Sequence, residues 1–133
     1  MRIFLITTFI FLLSLSVKSQ DKAIDERIII EEISTSKSYG FKKKTNIKVG
    51  TIQNEYDFIY QLTGPNGEEV TAMRLGSGWA VKSKNAPFGK AQLDKWQIKY
   101  EGLDEPIILY LNGYDYEKPK CPKGLSFKKY QKP

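Results

Sequence analysis

Carboxylates, tyrosines, lysines and one cysteine are the side chains in this sequence that could do chemistry; histidine is absent from all 133 residues. Without an imidazole no Ser–His or Cys–His nucleophile can be assembled. The lone cysteine, Cys121, cannot build a structural zinc site or an intramolecular disulfide. Paired carboxylates remain. Held at the right separation they cleave glycosides, and the candidates are Asp57, Glu68, Glu69, Asp94, Glu101, Asp104, Glu105 and Asp115. Most fall in turns or on strand faces that read as wet, where acids serve solubility. Asp115 is the most distinctive, because Tyr114 and Tyr116 flank it after a strand end. Its competing role is a turn-forming acid bonded to its own backbone. Asn112, Asp115 and Glu117 offer oxygens that would suit calcium, but not at the spacing of an EF-hand.

Binding chemistry is better represented than catalysis. Eight tyrosines, seven phenylalanines and two tryptophans make 13% of the chain aromatic. Phe58, Tyr60, Trp96 and Tyr100 read as core, whereas Trp79, Phe88, Tyr114 and Tyr116 sit in segments read as loops and are candidates for contact. Lysines form two runs. Lys42, Lys43 and Lys44 are consecutive, and from Lys118 to Lys132 there are six lysines and no acid, among them Lys120, Lys123, Lys128 and Lys129. Such a block is either a solvated face or an attraction for phosphate or anionic lipid.

The elements that must position these residues read as β. Tyr56–Leu75 is expected to be a β-hairpin with its corner at Pro65, Asn66 and Gly67, the composition of a type I turn closed by a glycine bulge. Tyr56, Phe58, Tyr60 and Leu62 would share a face of the incoming arm, and Thr71, Met73 and Leu75 a face of the outgoing one. Ile28, Ile29, Ile30 and Ile33 read as a first strand, with a helical reading open because Ile29 and Ile33 stand four apart. Phe41–Gly50 reads as a charged loop or edge strand. Gly76-Ser77-Gly78 suggests a bend or bulge where backbones approach closely, followed by a loop over Ala80–Gln92. Leu93–Glu101 alternates, with Trp96, Ile98 and Tyr100 on the buried side. Ile107–Leu111, apolar on both faces, is expected to be the most central strand. A long connection over Tyr114–Gly124 leads to a last strand at Leu125–Lys129. No segment after the N-terminal one holds a helical period for three turns. About seven short strands imply an all-β fold, a small antiparallel sandwich or partly open barrel.

The N-terminus reads as an export signal. Arg2 precedes an apolar run, Ile3–Leu15, of about 13 residues, too short to span a bilayer as a helix. Val17 and Ser19 suit a signal peptidase, so cleavage is expected after Ser19. Residues 1–19 would be signal peptide, 20–40 an N-terminal segment with the first strand, and 41–133 the β domain, with 20–133 forming one domain. Loss of Arg2 and Lys18 leaves 19 basic against 15 acidic side chains, an excess of +4 in place of +6. That excess suits weak attraction to anionic polymers and does not by itself indicate a nucleic-acid binder.

Lys48–Gly50 (KVG), Leu62–Val70 (LTGPNGEEV), Arg74–Ser77 (RLGS) and Lys99–Gly124 (KYEGLDEPIILYLNGYDYEKPKCPKG) carry a resemblance to a family of small exported bacterial proteins, over roughly Ser38 to Lys129. The matching motifs are turns and strand ends. Relatives carry a cysteine pair near Gly78-Trp79, which this sequence lacks. Some relatives bear the name 2-dehydro-3-deoxyphosphooctonate aldolase, an activity associated with (β/α)₈ barrels of about 250 residues. The resemblance transfers no catalytic residue.

These readings converge on an exported, periplasmic or secreted β protein without a cofactor or a membrane span in its mature chain. The expected role is non-catalytic binding of an envelope protein or anionic polymer. Two alternatives stand beside it. One is an enzyme using Asp115 with a loop carboxylate and a tyrosine in a pocket beneath Gly76–Gly89. The other is a structural component that self-associates through an edge strand.

Overall fold

A computed structural model describes residues 27–129. The expected signal peptide and the first residues of the segment after it lie outside the described residues. So does the end of the C-terminal lysine block.

The chain enters as an irregular segment and makes a 3₁₀ turn at Lys43–Thr45 before strand β1 (Ile47–Lys48). Helix α1 (Ile52–Gln61) follows, then β2 (Leu62–Thr63), β3 (Thr71–Lys82), β4 (Lys90–Lys99), β5 (Ile107–Asn112) and β6 (Ser126–Phe127). The fold is β-rich, with six strands and this one α-helix among the described residues. Four strands form an open sheet in the order β1-β5-β4-β3, and β2 pairs with β6 in a second, two-stranded sheet.

Helix α1 corrects the reading of Tyr56–Leu62 as a strand. Thr51, extended at φ −143° and ψ 160°, caps the helix by accepting the Asn54 N–H at 3.0 Å. The buried positions are Glu55, Phe58, Ile59 and Leu62, a helical spacing. A glutamate heads that face, which hides the period from any count of apolar residues. The alternation of Tyr56, Phe58, Tyr60 and Leu62 mimics a strand, yet Tyr60 is exposed while Phe58 is fully buried.

The turn at its far end was read correctly. Gly67 sits at φ +84° and its N–H donates to Gly64 O at 3.1 Å, while the Gly64 N–H donates to Glu68 O at 2.9 Å. The strands on either side part company, however: β2 pairs with β6 and β3 pairs with β4. The long hairpin of the molecule is β3–β4. Its register runs from Thr71↔Lys99 to Lys82↔Lys90, so the loop expected over Ala80–Gln92 shrinks to residues 83–89, with strand at both its ends. Bulges fall between Arg74 and Gly76 and between Gly78 and Val81. The two glycines are there for φ of +128° and +151°; nothing crowds the place a Cβ would take at either.

β5 lies between β1 and β4, matching the central position expected of Ile107–Leu111. The β1–β5 pair is parallel, with Ile47 opposite Leu111, so the sheet is mixed rather than purely antiparallel. The isoleucine-rich first strand is replaced by an irregular extended segment. The Gln61 side chain takes the Ile30 N–H at 3.0 Å and donates to Ile28 O at 2.8 Å, doing what a neighbouring strand would have done. Ile28 and Ile30 are buried all the same, and Ile33 makes a single parallel bridge to Cys121.

One core lies between the sheet, α1 and this segment. It includes Ile30, Ile47, Val49, Phe58, Trp96, Ile98, Leu109, Leu111 and Cys121. Burial pushes the Cys121 thiol up to about 12, which makes it an inert apolar group. Removing the helix cap tests the helix assignment directly: Thr51→Ala should lower the unfolding free energy by about 1 kcal/mol in chemical denaturation. An unchanged midpoint would contradict a capped helix at this position.

Candidate functional site

Two groups of polar side chains are built into the fold, and they behave in opposite ways. The first lies under α1. Glu55 and Asp94 are 1% and 2% exposed, and their carboxyl groups lie side by side. Trp96 donates its indole N–H to Glu55 Oε1 at 3.1 Å, and Arg74 donates to Asp94 Oδ1 at 2.7 Å. Tyr56 closes over Trp96 edge-on, the ring centroids 5.1 Å apart. β-pairing explains the convergence: Arg74 lies opposite Trp96 and Asp94 opposite Leu111, all on the sheet face that α1 covers. Burial pushes the Glu55 carboxyl up to about 8, and the Asp94 carboxyl pushes the same way. At neutral pH Glu55 is therefore mostly a neutral acid. Two carboxyl groups this close fall short of the roughly 5–9 Å that glycoside chemistry needs, and neither lines the grooves beside Tyr60, Gln61 or Tyr39. The pair holds the helix to the sheet.

The second group lies at the far end of the β3–β4 hairpin. Asp115 sits where the sequence reading put it, beneath the loop after Gly76, but as an anchor. Ser83 Oγ and Asn85 Nδ2 both donate to its Oδ1, and Asn112 Nδ2 donates to Oδ2 at 3.0 Å. The Ser83 hydrogen bond, helped by those from Asn85 and Asn112, holds its carboxyl below the ordinary carboxylate range. Asn112 also accepts the N–H groups of Tyr114 and Asp115, so the turn-forming role applies as well. The raised carboxylate expected of an acid catalyst is found instead in Glu55, which the list of candidates omitted because its helix was not recognised.

Above Asp115 the loop carries Phe88, which is 101% exposed at φ +59° and ψ +18°. Lys82, Lys84 and Lys90, of the same hairpin end, are exposed as well. Trp79 stands farther down β3 on the outer sheet face, 42% exposed, with Lys95 Nζ 4.3 Å over its ring and Tyr110 edge-on at 6.4 Å. Lys42, Lys43 and Lys44 are exposed, and their 3₁₀ turn lies against β3.

The C-terminal lysines do not join them as one patch. Lys118 pairs with Glu31, and Lys120 pairs with Glu32 at 3.7 Å, because the bridge from Ile33 to Cys121 lays the acidic segment beside them. Lys44, Lys48, Lys118 and Lys120 do share a polar groove of about 220 Å³ with Tyr39 and Glu117. Lys123 is exposed on a separate turn. Lys128 and Lys129 lie beyond β6, with Lys128 at a groove near the end of α1. Tyr116 is exposed and Tyr114 half-buried. Asn112 and Glu117, the other oxygens considered for calcium, are engaged with Asp115 and Lys48 respectively. The residues missed by sequence reading are Lys82, Lys84 and Lys90. Their signal was present in KSKNAPFGK, which holds three lysines and no acid.

Comparison with protein-family models, with curated proteins and with solved structures finds no match to this chain.

The two carboxyl groups make separate predictions. Unfolded, Glu55 loses its proton near 4.5; folded, it keeps it to about 8. Between those values the folded state binds more protons. The Glu55 contribution is thus fully present below pH ~4.5 and declines as pH rises toward 8, by up to about 1.4 kcal/mol per pH unit. Glu55→Gln keeps the donor and removes the titration, so its stability relative to the unmodified chain should rise between about pH 5 and pH 8 in paired thermal melts. A difference independent of pH would refute the buried neutral acid. For Asp115 the sign reverses: its contribution exists above its ordinary 3.8 and is lost as pH falls through the lower folded value. Asp115→Ala should cost about 2–3 kcal/mol at neutral pH and speed hydrogen exchange over residues 83–89. Unchanged exchange there would show that the loop does not depend on this anchor.

Proposed function

We propose that the chain is an exported β domain that binds an anionic envelope polymer or surface through the hairpin end of its sheet, without catalysis. The observation that carries this reading is the distribution of charge partners. Among the described residues, Lys48, Lys118, Lys120 and Arg74 have carboxylates within 4 Å, whereas the other lysines have none, and six of those, Lys42, Lys43, Lys44, Lys82, Lys84 and Lys90, belong to the hairpin end and the 3₁₀ turn. Free lysines gathered on one hairpin and the turn beside it create a local positive field larger than the net charge suggests. The signal-like pattern of residues 1–19 supports export, which would bring this face to envelope components.

The enzymatic alternative has less support. Asp115 is surrounded by hydrogen-bond donors that favour its ionised form, unsuited to a general acid, and Glu55 is sealed beneath α1. The aldolase name borne by relatives is tied to a ring of alternating strands and helices, whereas the described residues contain one ten-residue helix. The self-association alternative would use β3, which is an edge of the sheet. Its two bulges and the charges of Arg74 and Lys82 interrupt the regular row of backbone groups that a second copy would need.

The test is retention of the chain on immobilised polyphosphate as salt is raised. Binding should weaken steeply with salt. The triple variant Lys82→Glu, Lys84→Glu, Lys90→Glu should lose retention at low salt. Lys123→Glu, Lys128→Glu, Lys129→Glu, with the same charge change elsewhere, should keep most of it. Equal losses in the two variants would remove the hairpin end from the account.

A further inference from the structure

We infer that the hairpin tip docks on a phospholipid bilayer carrying anionic headgroups, with Phe88 entering the acyl boundary and Lys82, Lys84 and Lys90 against the headgroups. The inference rests on the binding reading above and names its partner.

Three features of the tip point this way. Phe88 makes no use of its ring within the fold, since its side chain is wholly exposed. It also occupies the left-handed region, at φ +59°, where a bulky residue is disfavoured and a glycine would be at ease. The next residue, Gly89, is left-handed as well, at φ +72°, so the turn is tight. Second, Lys82 and Lys90 face each other across the last pair of the ladder, an arrangement of like charges that disfavours the free hairpin. Both local costs fall at one place; an anionic layer would offset the like charges, and an apolar layer behind it would bury the exposed ring. Third, the loop is fixed from below. Ser83 and Ala86 are buried, and Ser83 and Asn85 are bonded to Asp115, so docking need not order a loose loop.

A soluble anionic polymer would answer the lysines but gives Phe88 nothing to enter. The groove beside Tyr39 is a weaker competitor because two of its lysines already hold Glu31 and Glu32. An aromatic side chain beyond a basic collar has the form of an interfacial anchor, whose binding adds apolar transfer to attraction for anionic lipid.

The experiment is co-sedimentation of the chain from Gln20 onward, which keeps every residue of the described fold, with phosphatidylcholine vesicles with and without phosphatidylglycerol. Polyphosphate retention is measured in parallel. The unmodified chain should bind the phosphatidylglycerol vesicles and release them at high salt. Phe88→Gly should fold at least as stably, since it relieves the left-handed φ. It should lose about 10- to 100-fold in vesicle partitioning and leave polyphosphate retention unchanged. The inference is overturned if Phe88→Gly partitions like the unmodified chain, or if phosphatidylglycerol makes no difference. Retention on polyphosphate without any vesicle binding also overturns it, leaving the broader binding reading standing and pointing to a soluble polymer or protein as partner. Binding to neither overturns both.

Discussion

The contact between the Glu55 carboxyl and Asp94 is the constraint around which the fold is arranged. It joins the helix to the middle of the sheet at a depth where water cannot compete. It also reaches the turn after β5: Glu55 Oε2 would lie only 3.0 Å from a Cβ at position 113, so a larger residue there would have to push the carboxyl aside. The residue before Gly113 is Asn112, fully buried, whose carbonyl accepts the Val49 N–H and whose side chain holds Asn46 and Asp115. Asp115 in turn holds Ser83 and Asn85. A continuous set of contacts thus leads from the buried acid to the exposed hairpin tip. The tip is as well placed as the core beneath it.

The same chain uses two carboxyl groups in two electrical states. Glu55 has one indole donor and a carboxyl neighbour, and low polarity keeps its proton on. Asp115 is at the surface and collects donors, so it keeps its charge. Exchanging their environments would leave a bare charge under the helix and a poor acceptor beneath the loop. The cost of an unpaired buried charge is several kcal/mol, far above that of a lost surface hydrogen bond. The arrangement is therefore strongly one-sided, and Glu55 is the residue least able to remain ionised where it sits.

Much of the sheet was legible because its strands obey simple period rules. Trp96 and Ile98 lie buried on one side of β4, and Ile107–Leu111 lies inside the sheet. Turn chemistry at Pro65-Asn66-Gly67 was also legible, since φ > 0 at Gly67 is a local demand. What failed was reading across partners. The apolar alternation of Tyr56 to Leu62 was local and misleading, because the decisive residue, Glu55, reads as polar until Asp94 and Trp96 are placed next to it. The isoleucine segment failed for a similar reason: Gln61, thirty-one residues from Ile30, supplies its hydrogen bonds. The ion pairs of Lys118 and Lys120 were not legible because Glu31 and Glu32 are distant from them in sequence. In each case the missing information was a long-range polar contact, which leaves no periodic trace.

Charge placement then decides what the surface can do. A formal excess of +6 over 133 residues is moderate. A neutral Glu55 removes one of the fifteen acids from that count, so the folded chain is more positive than its formula near neutral pH. Other acids face inward or sideways: Asp94 toward Arg74, Glu117 toward Lys48, Glu31 and Glu32 toward Lys118 and Lys120. Among the described residues the hairpin tip and the adjoining 3₁₀ turn hold six of the lysines without an ion pair, beside Lys37, Lys95, Lys99, Lys123, Lys128 and Lys129 elsewhere. Attraction at a surface falls off within about 8 Å at physiological salt, so a distributed surplus would act weakly, whereas lysines collected at one projecting tip act together on whatever meets it first. Phe88 stands at that same tip. Its position turns a diffuse positive charge into an oriented contact, with a charged collar to attract and an apolar end to stay.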